Sequence, residues 1–231
     1  MKNCLLLLAV VGVMMMVGAP AYSQYLFLDT NGDGRNSTNP IYYSPNPPPD
    51  PPIEADVLSS TVTSIDIYLV TDQNVDGTPA TCQTGETFQI NSYEFILRYS
   101  GTGSVQYGAW TDNMGYANGG VLCGDNVTCQ GAGDIWVGKY KFTYDPPGRY
   151  KLGSLAITVT GTPDLDFMTT STLHPLAGTS FGSSCSGSQG DHTIRLGVDF
   201  CANGELGCPG NTQKRIPVTT TTWGKIKMTY K

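Results

Sequence analysis

The sequence predicts an all-β protein: an antiparallel β-sandwich with a calcium loop near its N-terminus and a short helix or strand at its C-terminus. Apolar and polar residues alternate with a period of two over several short segments, as in strands with one buried face. The 28 glycines and 15 prolines separate these segments. Charged residues make up only 14% of the chain, against about 25% in an average soluble protein. Long helical periodicity is absent after residue 23, which argues against α/β folds.

The first 23 residues have the features of a secretory signal peptide. Lys2 supplies a positive charge, Cys4–Val17 is an apolar run, and Ala21 and Ser23 are small residues at the cleavage position. The run is shorter than the roughly 20 residues of a membrane span. We therefore expect cleavage after Ser23, no membrane span in the mature chain, and a secreted protein that is extracellular or on the cell surface.

The charge of the chain argues against nucleic acid as a partner. The formal net charge is −6, and loss of Lys2 with the signal peptide makes it more negative. Nucleic-acid binding needs a basic surface that neutralises phosphates. We expect an extracellular protein, a second copy of the chain or a glycan as the partner.

The N-terminal segment, residues 24–56, begins with an apolar strand at 25–28 that leads directly into a polar loop, residues 29–34. The loop spells DxNxDG and resembles the first half of an EF-hand-type calcium loop. Its side-chain oxygens alternate along the chain at Asp29, Asn31 and Asp33, and Arg35 offers a backbone carbonyl. A run with seven prolines follows within residues 38–53. If this run is looped out, Asp56 becomes the closing ligand. The alternative is that the Asp and Asn residues simply form a turn.

A second DxNxDG segment begins at Asp72 and includes Asn74 and Asp76. Position 12 of this loop is Gln83, so the loop has no bidentate acid in register. It is a second candidate calcium site, and it would have to borrow an acid from elsewhere.

The main domain is predicted over residues 57–218. Alternation predicts strands at 65–70, 93–99, 155–160 and 194–200. A C-terminal tail, residues 219–231, fits a helix on the face of Trp223, Ile226 and Tyr230, with a strand as the alternative.

Six cysteines remain after signal cleavage, and an even number in an exported chain predicts three disulfides among 15 possible connectivities. Cys123–Cys129 and Cys201–Cys208 each bracket a short Gly-containing segment, so each pair is expected to close a small loop. Cys82–Cys185 is then the long-range bridge.

Signals for catalysis are weak. Residues 178–182 read GTSFG and match the nucleophile-elbow pattern, but the elbow needs a strand-to-helix turn in an α/β sheet. Trp110 and Trp136 lie in β segments near polar turns, where they could contact glycans. The alternative is that both indoles fill the core.

Three segments resemble the strands of cohesin domains: residues 62–71, 92–99 and 148–159. The segment at Asp29–Gly34, together with Asp56-Val-Leu58, is similar to one calcium loop of a dockerin. The resemblance implies a cohesin-like or jelly-roll-like sandwich used for extracellular adhesion or scaffolding, as in exported bacterial proteins.

The leading hypothesis is therefore a secreted, non-enzymatic, Ca²⁺-stabilised β-sandwich that binds an extracellular protein partner or self-assembles. The second hypothesis is a carbohydrate-binding module, with a glycan as ligand. The third is a hydrolase of a type that the motifs do not reveal.

Overall fold

The computed structural model describes residues 24–35, 56–73, 79–80, 88–118, 128–131, 133–170, 178–185, 191–195 and 201–202. These residues form strands and contain no helix, so the all-β class is confirmed. Within these ranges no helix is long and apolar enough to cross a membrane. The strands are β1 (Tyr25–Asp29), β2 (Ser64–Val70), β3 (Phe88–Asp112), β4 (Ala117–Asn118), β5 (Thr128–Gly131), β6 (Asp134–Asp145), β7 (Arg149–Phe167), β8 (Ser180–Cys185), β9 (Asp191–Arg195) and β10 (Cys201–Ala202).

The strands are hydrogen-bonded in the order β10-β1-β2-β7-β3-β6-β4, while β5 also pairs with β6 and β8 joins β3 to β9. All described pairs are antiparallel except β1 with β10, which is parallel. The predicted strand at residues 25–28 is thus part of the same sheet as the main domain.

The longest strand, β3, folds back on itself. Its first half pairs with β6 and β8, and its second half pairs with β7. The Phe95 ring contacts the Trp110 ring edge-on at a centroid distance of 5.2 Å. Because the two residues lie on opposite halves of β3, the halves enclose a shared core. This packing is consistent with a β-sandwich.

Glycines lie at the bend. Gly103 is opposite Gly161 of β7, and both have positive φ values, 132° and 75°. A Cβ atom at Gly103 would lie 2.0 Å from the Thr160 carbonyl oxygen. The close approach of the two backbones therefore requires glycine, as at the corners of bent strands.

The core is built from the inward-facing residues of the alternating strands. Ile65, Ile67 and Leu69 of β2 are almost completely buried, as period-two alternation predicts. Phe95 and Leu97 of β3 and Leu155 of β7 have exposed fractions of 0%. The predicted strands at 65–70, 93–99 and 155–160 are confirmed.

Several sequence predictions fall on residues outside the described ranges. They are the signal peptide, the proline-rich run at 38–53, the part of the predicted strand from 196 to 200, and the C-terminal helix or strand. These remain predictions.

Candidate functional site

The loop that follows β1 is organised around the carboxylate of Asp29. Its Oδ1 accepts hydrogen bonds from the backbone N–H groups of Asn31 at 3.2 Å and Gly32 at 2.7 Å. Its Oδ2 accepts one from Gly34 N–H at 2.7 Å. Gly32 and Gly34 both have positive φ, which only glycine adopts without strain. The DxNxDG sequence therefore forms a tight loop around a nearly buried carboxylate.

Asp56 returns to this loop from the far side of residues 36–55. Its Oδ1 accepts a hydrogen bond from Thr30 N–H at 2.7 Å and one from the Thr30 hydroxyl at 3.2 Å. The sequence predicts Asp56 as the ligand that closes a calcium site at this loop. The structure places Asp56 against Thr30 of the loop, and its role as a metal ligand remains a prediction.

The loop concentrates negative charge. Burial raises the pKa of Asp29, hydrogen bonds from Gly32 and Gly34 oppose this shift, and the charges of Asp56 and Asp33 raise the pKa further. The carboxylate and amide oxygens are of the type that Ca²⁺ prefers. Within the described residues, however, no three His, Cys, Asp or Glu side chains lie close enough together to hold a metal ion.

Two other side chains of the proposed first site point into local turns. Asn31 Oδ1 accepts a hydrogen bond from Asp33 N–H at 2.9 Å, and Asp33 Oδ1 accepts one from Arg35 N–H at 2.7 Å. Asn31 and Asp33 are exposed. Convergence on a cation would require these two side chains to turn inward toward Asp29.

The second DxNxDG segment is described only at its ends. Gln73 forms a β-bridge with Pro79, and Ala80 N–H donates to the Asp72 carbonyl at 2.9 Å, so the loop is closed at its base. Asp72 Oδ1 is buried and has no hydrogen-bond partner among the residues that the structure describes. Asn74 and Asp76 lie outside the described residues, so the second calcium site remains a prediction.

The cysteines lie mostly at or beyond the edges of the described segments. Cys129 is opposite Trp136, Cys185 is opposite Phe88, and Cys201 is opposite Tyr25 in their strand pairs. Cys82, Cys123 and Cys208 lie outside the described residues. The three predicted disulfides remain predictions, which peptide mapping under non-reducing conditions can test.

Both tryptophans that were candidate glycan contacts pack against the protein. Trp136 is only 6% exposed, and its Nε1–H donates to Glu94 Oε2 at 3.2 Å. Trp110 is half-buried, and its ring lies against Gly153, where a Cβ atom would be 2.4 Å from the indole. The alternative that the indoles pack within the fold therefore fits Trp136, which is buried, better than Trp110, which is half-buried.

Ser180 of the GTSFG segment begins strand β8. Its hydroxyl donates to Glu94 Oε1 at 2.7 Å, and its exposed fraction is 6%. A strand in this position is not the strand-to-helix turn that a nucleophile elbow needs.

Strand β6 contains a large bulge that the sequence analysis does not predict. Tyr140 is opposite Ser92, and Asp145 is opposite Ile90. Between these pairs β6 therefore contains residues 141–144, whereas β3 contains only Asn91. Such bulges redirect side chains and often lie next to functional sites.

Phe142 lies in this bulge and is 90% exposed, the highest value among the large apolar side chains of the described residues. Its ring packs edge-on against Tyr140, with ring centroids 5.4 Å apart. In the sequence, Tyr140 and Phe142 are two residues apart, as in an ordinary strand, so the sequence does not predict that Phe142 is exposed.

Ionic and aromatic contacts anchor the bulge. Asp145 forms an ion pair with the Lys141 ammonium and accepts a hydrogen bond from the Tyr116 hydroxyl at 2.6 Å. The Lys141 ammonium lies 5.0 Å from the centroid of the Tyr116 ring. Burial raises the pKa of Asp145, but the hydrogen bonds from Lys141 and Tyr116 outweigh it and lower the pKa below its usual value. Phe142 therefore projects from a bulge whose two ends are held in place.

A shallow groove of about 240 Å³ lies beside the bulge on the outer face of β6, β3 and β8. Its lining includes Trp136, Tyr140, Glu94, Ser92 and Ser180. Ile135 and Val137 face the core, so the alternating Trp136 and Tyr140 face outward. The groove thus combines aromatic rings with a carboxylate and hydroxyl groups.

Comparison with protein-family models, with curated proteins and with solved structures finds no match. The resemblance to cohesin and dockerin segments is therefore supported only by the residues quoted above.

Proposed function

We propose that this protein is a secreted, non-enzymatic β-sandwich module that binds a protein partner outside the cell through the Phe142 bulge. The observation that carries the proposal is the 90% exposure of Phe142 on a segment anchored by Lys141, Asp145 and Tyr116. The cohesin-like use of such a module for adhesion, scaffolding or self-assembly is part of the proposal.

An exposed phenylalanine leaves a large apolar area in contact with water, which a binding partner could cover. Burying such a side chain is worth about 1.5–3 kcal/mol. Aromatic residues that project from a surface commonly carry much of the binding free energy of an interface. Tyr140 packs against Phe142 and extends the apolar patch along β6.

The anchored bulge also reduces the entropic cost of binding. A side chain that is already held in its binding position loses less freedom when a partner docks. Asp145 bridges Lys141 of the bulge to Tyr116, which lies before β4. This arrangement favours a specific partner over nonspecific adhesion.

The test is capture from the native cell envelope by the immobilised mature protein, quantified for wild type, Phe142→Ala and Val57→Ala. Val57 is a matched control, because it is also a large apolar residue and is 55% exposed. Phe142→Ala is expected to weaken capture at least about 30-fold, which corresponds to a hot spot of about 2 kcal/mol. Equal loss with both variants would contradict the proposal.

Sedimentation of the purified protein distinguishes a partner protein from a second copy of this chain. If the bulge mediates self-assembly, wild type will form concentration-dependent oligomers and Phe142→Ala will remain monomeric. Oligomers that persist in Phe142→Ala would place the assembly surface elsewhere.

Calcium stabilisation is the second part of the proposal. It is supported by the loop around Asp29, by the return of Asp56 to that loop, and by the pKa of Asp29, which burial raises and the charges of Asp56 and Asp33 raise further. A cation at this position would neutralise the carboxylates, and inward rotation of Asn31 and Asp33 would complete the ligand set. The Arg35 carbonyl would contribute a further oxygen.

A carbohydrate-binding module is the second candidate function, and the groove beside the bulge favours it. Sugar rings stack on aromatic side chains, and sugar hydroxyl groups donate hydrogen bonds to carboxylates. Aromatic side chains and the Glu94 carboxylate both line the groove. Tyr140, which is 36% exposed, is the aromatic residue most available for stacking. Binding to a glycan array that is lost in Tyr140→Ala and retained in Phe142→Ala would favour this function over protein binding.

A further inference from the structure

Asn31 and Gly32 are consecutive exposed residues of the loop that follows β1. Glycine has no side chain to hinder the approach of another group to its backbone nitrogen. The φ value of Gly32 is 76°, and a Cβ atom at this position would meet nothing within 4 Å. The surroundings of the Gly32 nitrogen are therefore uncrowded, and the neighbouring side chain is an amide.

The hydrogen bonds of the loop hold both groups that could react. The Gly32 N–H donates to Asp29 Oδ1 at 2.7 Å, so a carboxylate lies within the reach required of a general base. The side-chain oxygen of Asn31, Oδ1, accepts a hydrogen bond from Asp33 N–H at 2.9 Å. A donor at this oxygen stabilises the negative charge that develops when the carbonyl carbon is attacked. Consecutive residues of the loop thus carry a nucleophile with a base and an electrophile with an oxyanion donor.

We propose that Asn31 of the folded protein converts to aspartate or isoaspartate through a cyclic imide with Gly32. The Gly32 nitrogen gives its proton to the Asp29 carboxylate and attacks Cγ of Asn31, which forms a new C–N bond. The bond from Cγ to Nδ2 breaks, the departing nitrogen takes up that proton, and ammonia leaves. Water then opens the imide. Hydrolysis of the bond from the nitrogen to Cγ gives aspartate, and hydrolysis of the bond to the backbone carbonyl carbon gives isoaspartate.

The two products have different effects on the loop. Aspartate leaves the main chain unchanged, and its carboxylate can accept the hydrogen bond from Asp33 N–H as the amide does. Isoaspartate lengthens the main chain by one methylene group, so the hydrogen bonds from Gly32 and Gly34 to Asp29 would have to be rebuilt. The aspartate product is therefore the one that keeps the loop as it stands.

The test is a peptide map of the purified protein before and after incubation at neutral pH with a chelator. The peptide that contains Asn31 is expected to exchange one ammonia for one water and to become a substrate of protein isoaspartyl methyltransferase. Asn118 is the internal control, because it also precedes a glycine but lies in strand β4 opposite Lys139. We expect Asn31 to convert several-fold faster than Asn118. An unconverted Asn31, or equal rates at the two positions, would contradict the proposal.

Asp29→Asn is the matched variant, because it keeps an oxygen that can accept the Gly32 N–H and removes the base. Conversion of Asn31 should be several-fold slower in this variant, with circular dichroism as the check on its fold. Equal rates in the two folded proteins would contradict the role of Asp29. If the variant does not fold, the comparison with Asn118 in the wild-type protein decides the proposal.

The consequence for calcium rests on the calcium binding proposed above and is measured separately. The affinity of such loops depends on the number of charged ligands, and conversion to aspartate replaces an amide with a carboxylate. Asn31→Asp should therefore show a larger calcium-dependent rise in melting temperature than wild type. An equal rise in both proteins would contradict the stronger site. No rise in either protein would contradict calcium binding and leave the conversion of Asn31 intact.

Discussion

The Tyr93 hydroxyl donates a hydrogen bond to the Asp112 carboxylate, although the two residues belong to the same strand, β3, at a sequence separation of 19. A straight strand would separate them by about 60 Å. The contact therefore requires β3 to reverse direction, and the midpoint between the two residues falls next to Gly103. Burial and the hydrogen bond with Asp112 raise the pKa of Tyr93 far above its usual value, so the hydroxyl stays protonated.

Gly103→Ala should strongly destabilise the protein. The new Cβ would lie 2.0 Å from the Thr160 carbonyl oxygen, at a φ of 132°. The clash and the backbone strain together should cost about 3 kcal/mol or more. Gly148→Ala is the control, because its Cβ would meet nothing nearer than 3.6 Å. Urea denaturation measures both, and equal effects would contradict the close packing at the corner.

Arg98→Met should destabilise the fold because it removes the guanidinium that binds the buried Asp134 carboxylate. The Asp134 side chain has an exposed fraction of 0%, and the Arg98 guanidinium binds both of its oxygens. Because the Arg98 side chain is 35% exposed, we expect about 1–3 kcal/mol, less than for a fully buried pair. Adding Asp134→Leu should recover part of the loss, measured by the same denaturation. A double variant no more stable than Arg98→Met would contradict the interpretation.

The ionised Asp145 should stabilise the bulge in a pH-dependent way. Its folded-state pKa is lowered, so its contribution is fully present above the ordinary carboxylate pKa of the unfolded chain. The contribution is lost as the pH falls through the lowered folded-state value. Asp145→Asn should therefore reduce stability at neutral pH and make the acid limb of the stability curve less steep. An unchanged acid limb would contradict the role assigned to Lys141 and Tyr116.

Calcium should raise the melting temperature of the wild-type protein. Metal at a hundredfold excess over Kd stabilises a folded state by about 2.7 kcal/mol. Asp33→Ala and Asp56→Ala should each abolish most of this shift, whereas Asp72→Ala should not. If only Asp72→Ala abolishes it, the ion binds the second loop; if no variant abolishes it, the ion binds elsewhere. No shift in the wild-type protein would contradict calcium binding.

Much of the fold follows from local sequence patterns. The alternation at Ile65, Ile67 and Leu69 predicts β2 because one face of that strand is fully buried. The DxNxDG pattern predicts a tight turn at Asp29, and the structure shows one closed by the backbone N–H groups of Gly32 and Gly34. Such features depend on a few consecutive residues, so the local sequence is enough to predict them.

Other features depend on contacts between distant segments. The two-residue spacing of Tyr140 and Phe142 is that of an ordinary strand. It does not predict that β6 places four residues opposite Asn91 of β3. Gly103 is visible as a glycine in a strand, but its partner Gly161 is set by the register of β3 with β7. The burial of Trp136 depends on neighbouring strands, among them β3, which carries its hydrogen-bond partner Glu94. The local sequence around Trp136 does not predict this contact.

The central claim, that the anchored bulge presents Phe142 to a protein partner, is tested most directly by photocrosslinking at that position. A photoreactive phenylalanine analogue replaces Phe142 in one variant and Val57 in another, and intact secreting cells are irradiated. We predict a discrete covalent protein adduct from position 142 and none from position 57. No adduct at position 142, or the same adducts from both positions, would contradict the account.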